Sequence, residues 1–184
     1  MNVIKTKLDG VLIIEPKVFG DERGFFYETF HAERYKRIGI NEDFVQDNRS
    51  RSSKGVLRGL HFQKNKPQGK LVTVTSGEVF DVAVDLRPNS RTFGQYESIL
   101  LSGENKIQFY VPPGFAHGFC VLSDSADFQY KCTDFYDPSD EGGVLWNDET
   151  INIQWPIKNP NLSAKDKVLP TLKEIQNNLL KGWQ

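Results

Sequence analysis

The sequence has few of the residues that build disulfide scaffolds or metal centres. Its 184 residues include two cysteines, Cys120 and Cys132, and three histidines. The cysteines form no CxxC motif, and the sequence shows no cluster of histidine and cysteine, which argues against a disulfide framework and against a zinc knuckle. We therefore expect both cysteines to be reduced thiols with a structural role.

An excess of charge of one sign is also absent. Lys and Arg number 23 against 24 Asp and Glu, for a net charge of −1. This balance excludes the broad basic field of a non-specific nucleic-acid binder, so we expect no nucleic-acid partner. The apolar stretches are short, and the N-terminus lacks the apolar core of a signal peptide, so we expect no membrane partner. One cytoplasmic domain over residues 1–184 is the expectation.

Phenylalanine, glycine and proline are plentiful and are spread along the chain. The 13 Phe, 15 Gly and 9 Pro mark short alternating apolar runs that are broken by turn residues, which predicts an all-β sandwich or barrel. In one run, Phe80, Val82 and Val84 alternate with the intervening residues, as in a strand with one face in a core. The candidate strands are residues 11–16, 24–30, 44–49, 55–63, 70–75, 78–85, 96–101, 106–111, 117–122, 126–133 and 144–146.

Helix is predicted in only two places. Residues 32–38 form two possible turns that end at Gly39, and residues 171–180 carry leucine and isoleucine at helical spacing. We expect this second helix to pack on the barrel.

Single residues give weak evidence of chemistry. His61 lies in a run where Gly59 predicts a bulge or a close backbone approach, and His117 follows a proline-glycine turn. The ordinary interpretation of a lone histidine is a core or edge residue with one hydrogen bond, and His31 fits it best. By the same reasoning, Tyr130 is a half-buried strand aromatic, and residues 46–53 are a solvated loop.

Six motifs together favour a functional interpretation over these structural ones, because they occur in one order. They are RGFFYE (23–28), QDN (46–48), GVLRGLH (55–61), GEVFDV (77–82), VPPGFAHG (111–118) and SAKD (163–166). This set closely resembles the dTDP-4-dehydrorhamnose 3,5-epimerase family over residues 11–166. The resemblance implies a cupin-type jelly-roll β-barrel with short peripheral helices, assembled as a homodimer. His61-Phe62-Gln63 stands where metal-binding cupins have an HxH pair, so no metal and no cofactor are expected.

The resemblance also implies a substrate, dTDP-4-dehydro-6-deoxy-glucose, whose C3 and C5 both lie next to the C4 ketone. Inversion at these carbons by enolisation needs a base, an enolate stabiliser and an acid on the opposite face. By the family pattern, His61 is the base, Asp166 orients its imidazole, and Tyr130 is the acid. Lys70, together with His117, is expected near the ketone.

The remaining matched positions are expected to bind the substrate. Arg23 and Arg58 match the diphosphate-binding arginines of the family. Tyr136 matches an aromatic residue that stacks on thymine. The other expected contacts are Glu28, Gln46, Asp47, Asn48, Glu141 and Lys165.

Two alternatives remain open on the sequence. One is a single-site epimerase or a ketoisomerase on the same barrel, which would keep the histidine and the aspartate. The other is a non-catalytic cupin that binds a nucleotide or a sugar. Retention of Tyr130 with His61 and Asp166 favours double epimerisation, since binding alone needs no acid opposite a base.

Overall fold

The computed structural model describes residues 1–182, which form thirteen β-strands, two α-helices and one short 3₁₀ helix. The strands are β1 (Asn2–Lys5), β2 (Leu12–Glu15), β3 (Val18–Asp21), β4 (Gly24–Tyr27), β5 (Gln46–Ser53), β6 (Leu57–Gln63), β7 (Lys70–Ser76), β8 (Glu78–Asp85), β9 (Tyr96–Ser102), β10 (Gln108–Val111), β11 (Phe115–Val121), β12 (Ser125–Cys132) and β13 (Glu141–Gly143). The helices are α1 (Ala32–Arg37), the 3₁₀ helix (Asp166–Val168) and α2 (Leu172–Gly182). Among residues 1–182, no helix is both long enough and apolar enough to cross a membrane.

The strands form two large antiparallel sheets and one separate hairpin. One sheet has the order β1-β2-β10-β7-β12-β5, the other has the order β13-β6-β11-β8-β9, and β3 pairs with β4 alone. Many neighbours in these orders are distant in sequence, as expected of a jelly roll. The all-β prediction is confirmed. The two sheets face each other without joining into one closed barrel.

The main core fills the space between the two sheets. Val72, Val74 and Phe128 from the six-stranded sheet pack with Val79 and Phe119 from the five-stranded sheet. The rings of Phe119 and Phe128 stack with centroids 3.9 Å apart. Side chains that alternate along each strand are therefore buried between the sheets, which follows from the two-residue period of a strand.

Strand β8 is buried on both faces, although its alternation predicted only one buried face. Val79 lies in the core between the sheets, whereas Val82 and Val84 lie in a second cluster with Leu172 and Leu179 of α2. The C-terminal segment covers the outer face of the five-stranded sheet. The prediction that the last helix packs on the sheets is thereby confirmed.

Residues 46–53 form the edge strand β5. The strand predicted over 44–49 is therefore confirmed for residues 46–49, and the interpretation of 46–53 as a solvated loop is wrong. Each residue of β5 pairs with one of β12, from Gln46 opposite Cys132 to Ser53 opposite Ser125. Asp47, Arg49 and Arg51 are exposed, and the residues between them are more buried. A polar sequence is compatible with an edge strand because one of its faces remains in water.

Other differences concern strand boundaries. Strands β1 and β3 were not predicted, and the strand predicted at 144–146 lies earlier, as β13. Val144 still exchanges two backbone hydrogen bonds with Leu60. The chain then turns between Leu145 and Asp148, where the Asp148 amide donates to the Leu145 carbonyl, so the strand does not continue.

Candidate active site

A close contact between β6 and β11 sets the position of the two central histidines. Gly59 has φ of +125°, and a Cβ atom on it would lie 2.6 Å from the Gly118 Cα atom and 2.8 Å from the His117 carbonyl oxygen. The pairing of the strands shifts register beside it, and His61 lies directly opposite His117. The predicted bulge or close approach at Gly59 is confirmed, because only glycine fits this backbone.

His61 and His117 line a cavity of about 470 Å³ between the two sheets. Nine of the residues expected from the sequence line it together: Arg58, His61, Lys70, His117, Tyr130, Tyr136, Glu141, Lys165 and Asp166. Its lining also includes Phe119, Phe128, Gln63 and Gln68, which sequence reasoning did not select. The two phenylalanines carry no chemical signal in a sequence, since they are typical core residues.

His61 forms a close pair with Asp166, which the 3₁₀ helix places at the cavity wall. The His61 Nε2 atom lies 2.6 Å from Asp166 Oδ1. The Asp166 side chain is 4% exposed, and that of His61 is 31% exposed. Burial opposes ionisation of Asp166, but hydrogen bonds to His61 and Ser163 outweigh it, so the pKa of this carboxyl is lowered. An ionised aspartate therefore lies against one ring nitrogen, and the other ring nitrogen is left to accept a proton.

A second histidine–aspartate pair lies deeper in the fold, and its aspartate was missed. His117 Nε2 lies 2.8 Å from Asp81 Oδ1 and 3.0 Å from Asp81 Oδ2. Asp81 is completely buried, and this burial raises its pKa even though His117 favours the ionised form. The sequence did hold a signal. A carboxylate in the middle of the apolar run of β8 needs a partner.

Lys70 and Tyr130 lie on neighbouring strands of the six-stranded sheet. Cys132 of β12 pairs with Lys70, and Tyr130 pairs with Val72 two residues further along β7. Burial lowers the pKa of the Lys70 ammonium and raises the pKa of the Tyr130 hydroxyl. The cavity therefore contains a lysine that gives up its proton more readily than usual, and a tyrosine that keeps its proton.

Polar side chains line the rest of this cavity. The Tyr136 hydroxyl donates to Glu141 Oε2 over 2.8 Å, and this contact is the main cause of the raised pKa of Tyr136. Lys165 forms an ion pair with the same carboxylate. Arg58 donates through Nε to Ser52 Oγ over 3.1 Å, which leaves the terminal nitrogens of its guanidinium for an anion.

The QDN motif is divided between the two faces of β5. Gln46 and Asn48 share the face of Ser50, which lines the cavity, and the Tyr136 amide donates to Gln46 Oε1 over 2.9 Å. Asp47 lies on the opposite face, where Lys131 donates to its carboxylate over 3.0 Å. None of the three lines the cavity directly. Strand alternation places Gln46 and Asn48 on the side of the cavity and Asp47 away from it.

Arg23 and Glu28 lie outside this cavity. Arg23 is at the turn of the β3–β4 hairpin, 84% exposed and paired with Asp21. Glu28 follows β4 and pairs with Arg34 of α1. Within one chain, therefore, the RGFFYE motif does not meet the other expected substrate contacts.

The third histidine, His31, lies away from the cavity. His31 is the residue that precedes α1. Among the described residues there is no group of three or more His, Cys, Asp or Glu side chains that could hold a metal ion.

Comparison with known proteins gives a consistent result. The model of a family described as dTDP-4-dehydrorhamnose 3,5-epimerase matches residues 5–174. The enzyme of that name from Shigella flexneri is 59% identical over 168 residues, which are 90% of this chain and 93% of the relative. That of Escherichia coli is 57% identical over 178 residues, 95% of this chain and 96% of the relative.

A solved structure agrees with these sequence relatives. The dTDP-6-deoxy-D-glucose-3,5-epimerase of Legionella pneumophila, crystallised with dTDP-4-keto-L-rhamnose, superposes with a TM-score of 0.95 at 56% identity. The match covers 100% of this chain and 98% of the other. The fold, the grouping of nine expected residues in one cavity and these relatives all agree: this chain belongs to the dTDP-4-dehydrorhamnose 3,5-epimerase family.

Proposed function

We propose that the cavity between the two sheets is where this epimerase inverts C3 and C5 of dTDP-4-dehydro-6-deoxy-glucose. The observation that carries the proposal is the placement of His61 and Tyr130. His61 belongs to β6 of the five-stranded sheet, Tyr130 belongs to β12 of the six-stranded sheet, and both line the same cavity. A sugar ring held between the sheets has a base on one side and an acid on the other.

In the first step, His61 removes a proton from a carbon next to the C4 ketone. The imidazole becomes an imidazolium, and the electron pair of the C–H bond forms the enolate. Asp166 stabilises the new positive charge from 2.6 Å away and holds the ring with one nitrogen towards the carboxylate. Its lowered pKa keeps it ionised at neutral pH.

The enolate oxygen needs a hydrogen-bond donor or a positive charge. Lys70 supplies an ammonium whose pKa is lowered by burial. It is therefore a stronger acid than a free lysine, and its acidity is closer to that of an enol. His117, held by Asp81, supplies a second group in the same cavity. Because the site is partly closed to water, these contacts act in a medium where charge interactions are strong.

In the second step, Tyr130 returns a proton to the opposite face of the carbanion. Its raised pKa keeps the phenol protonated at neutral pH, so it is ready to donate. The phenolate then regains a proton from solvent, and the imidazolium of His61 releases the proton that it took. The same sequence at the second carbon completes the double inversion.

Substrate binding is assigned to groups that line the cavity or lie at its edge. Arg58 is proposed to bind the diphosphate, and Tyr136 to stack on the thymine ring. Gln46 and Asn48, on the cavity side of β5, offer amide groups to the base. Glu141 and Lys165 are proposed to contact the sugar nucleotide beside Tyr136, whose hydroxyl donates to Glu141.

Arg23 and Glu28 are proposed to act on the site of a second subunit in a homodimer. The hairpin that carries Arg23 exposes Val18, Phe19, Phe25 and Phe26, and Phe26 is 70% exposed. Apolar groups of this size on an otherwise separate hairpin favour burial against a partner. Such a dimer gives the RGFFYE motif a site to bind, which its own chain does not provide.

The dimer proposal is tested by mixing inactive subunits. His61→Asn removes the base, and Arg23→Ala removes the hairpin cation. If Arg23 serves the partner's cavity, a mixed dimer has one site with both native residues, and activity returns on mixing. If Arg23 serves its own chain, no mixed dimer has a complete site, and activity stays at the level of the separate variants.

A cytoplasmic location is proposed from the thiols. Cys120 and Cys132 are both free and buried, as expected of a protein that works in a reducing compartment.

The reaction itself is tested by proton NMR of the dTDP-4-keto sugar in heavy water. Deuterium is expected at both C3 and C5, and it should be absent with His61→Asn. Deuterium at a single carbon would indicate a single-site epimerase. Binding of the nucleotide sugar without exchange would indicate a non-catalytic cupin.

A further inference from the structure

A second cavity lies outside the site described above and shares none of its lining residues. It has a volume of about 770 Å³, which is in the range of small-ligand sites. The segment 63–68 separates the two cavities. Gln63 and Gln68 face the first cavity, whereas Lys64, Asn65 and Pro67 line the second.

Positive charge predominates in this second cavity. Its lining includes Lys7, Lys64, Arg87 and Arg91, with Asp9 as the only carboxylate among the lining residues. Asp85, buried behind the wall, balances Arg87 through contacts of 2.7 and 2.9 Å. Asp140 adds a further carboxylate behind the wall, where it accepts from the Asn65 amide and side chain. Four cations therefore stand against three carboxylates, in a chain whose net charge is −1. Concentrated charge of this kind in a concave site attracts anions.

The walls of the second cavity are rigid before any ligand arrives. Pro67, Pro88 and Pro113 come from three different loops and have fixed φ angles. The hydroxyls of Ser90 and Thr92 each donate to Asp85 over 2.6 Å, which ties the loop that carries Arg91 to the end of β8. A preformed site loses little conformational entropy on binding.

Arg87 is held in place on a second side by an aromatic ring. Its guanidinium carbon lies 4.5 Å from the centroid of the Phe115 ring. With two nitrogens bound to Asp85, the guanidinium still has N–H groups that it does not use there. Arg87 therefore presents donors at a fixed position, and the exposed Lys7 and Arg91 add positive charge around it, the Lys7 ammonium lying 5.4 Å from the centroid of the Tyr96 ring.

We propose that this second cavity binds a small anion that carries two or more phosphoryl groups. A ligand with adjacent phosphoryl groups fits several cations around a fixed guanidinium better than a ligand with a single carboxylate does. Each phosphoryl group accepts charge-assisted hydrogen bonds from a different side chain. The pyrophosphate unit is the simplest ligand of this class. The site is separate from the epimerase chemistry, and its occupancy does not require turnover.

The test is calorimetric titration with inorganic pyrophosphate of the intact protein and of three variants. Lys7→Glu/Arg91→Glu reverses two charges of the second cavity. Lys54→Glu/Lys158→Glu makes the same change of net charge at two exposed positions that do not line it. Arg58→Ala weakens the diphosphate contact in the catalytic cavity. It therefore distinguishes pyrophosphate binding in the catalytic cavity from binding in the second cavity.

We expect a saturable site in the unchanged protein that survives in Arg58→Ala and in Lys54→Glu/Lys158→Glu. In Lys7→Glu/Arg91→Glu the affinity should fall at least about tenfold, since two charge-assisted contacts become repulsive. Loss in Arg58→Ala alone would place the pyrophosphate in the catalytic cavity and overturn the proposal. Equal loss in both charge-reversal variants, or no saturable site at all, would also overturn it. Epimerase activity, followed in parallel, reports separately on the catalytic assignment.

Discussion

Replacing Asp166 by asparagine tests whether its carboxylate supports the proposed base, His61. The carboxylate is almost fully buried and lies 2.6 Å from His61 Nε2. Asparagine keeps the size of the side chain but removes its charge. The imidazolium formed during proton abstraction then loses its nearest negative partner, and an amide NH₂ turned towards the ring would favour the wrong tautomer.

The magnitude follows from the separation of the charges. The nearest atoms are 2.6 Å apart, but both charges are delocalised, and their centres lie about 4 Å apart. Two unit charges at about 4 Å interact by about 4 kcal/mol at an effective dielectric constant of about 20. This corresponds to a loss of about three orders of magnitude in rate. The wrong tautomer adds to the loss, so kcat should fall by about 10³ to 10⁴. The affinity for dTDP should change little, because Asp166 is not assigned to the nucleotide.

The assay is deuterium uptake at C3 and C5, with the affinity for dTDP measured by calorimetry. Asp124→Asn is the matched control, since Asp124 is an exposed carboxylate outside the cavity. A kcat for Asp166→Asn within tenfold of the control would refute the assignment of Asp166 as the carboxylate that supports His61. An equal loss of dTDP affinity would show that the pair is structural.

Three further predictions follow from the other side chains of the cavity. Burial lowers the pKa of Lys70 below that of a free lysine and raises the pKa of Tyr130 above that of a free phenol. Activity should therefore fall with rising pH as Lys70 loses its proton, and Lys70→Arg should move this alkaline limb of the kcat profile to higher pH; an unmoved limb would assign it to another group. Asp81→Asn should lower kcat by about 10- to 100-fold without changing dTDP affinity, as expected for a carboxylate that orients a histidine, and an unchanged kcat would make the buried pair purely structural. Tyr130→Phe should allow deuterium to enter C3 or C5 with retained configuration while little epimerised product accumulates, and melting should change little because the replacement is nearly isosteric; epimerisation at the original rate would point to a water molecule or another side chain as the acid.

The residues that sequence reasoning located well are those whose role depends on local backbone or on a motif. Gly59 was expected to mark a bulge or a close approach, and its φ of +125° and its contact with Gly118 follow from the absence of a side chain. His61 of the GVLRGLH motif and Asp166 of the SAKD motif line one cavity, together with Lys70 and Tyr130, which lie outside the six motifs and were assigned by the family resemblance. A set of motifs in the order typical of a family predicts which residues meet, because it implies the fold that brings the motifs together.

The features that were missed depend on contacts between distant strands. Nothing near Asp81 in sequence indicates that β11 will bring His117 to it, 36 residues later. A strand was predicted only over 44–49, and residues 46–53 were also interpreted as a solvated loop, because a polar edge strand and a solvated loop have the same composition. Only the pairing of β5 with β12, which is a tertiary contact, distinguishes the two.

Burial explains why two histidine–aspartate pairs can have different roles although both histidines line the same cavity. Asp166 accepts several hydrogen bonds, and these lower its pKa, so it stays ionised beside His61 and can support a second charge there. Asp81 is completely buried with His117 as its partner, and burial raises its pKa. A pair in that environment resists a change of charge during turnover, because the apolar surroundings penalise each new ion. The more exposed His61 therefore suits proton abstraction, whereas His117 suits a fixed contact with the substrate oxygen.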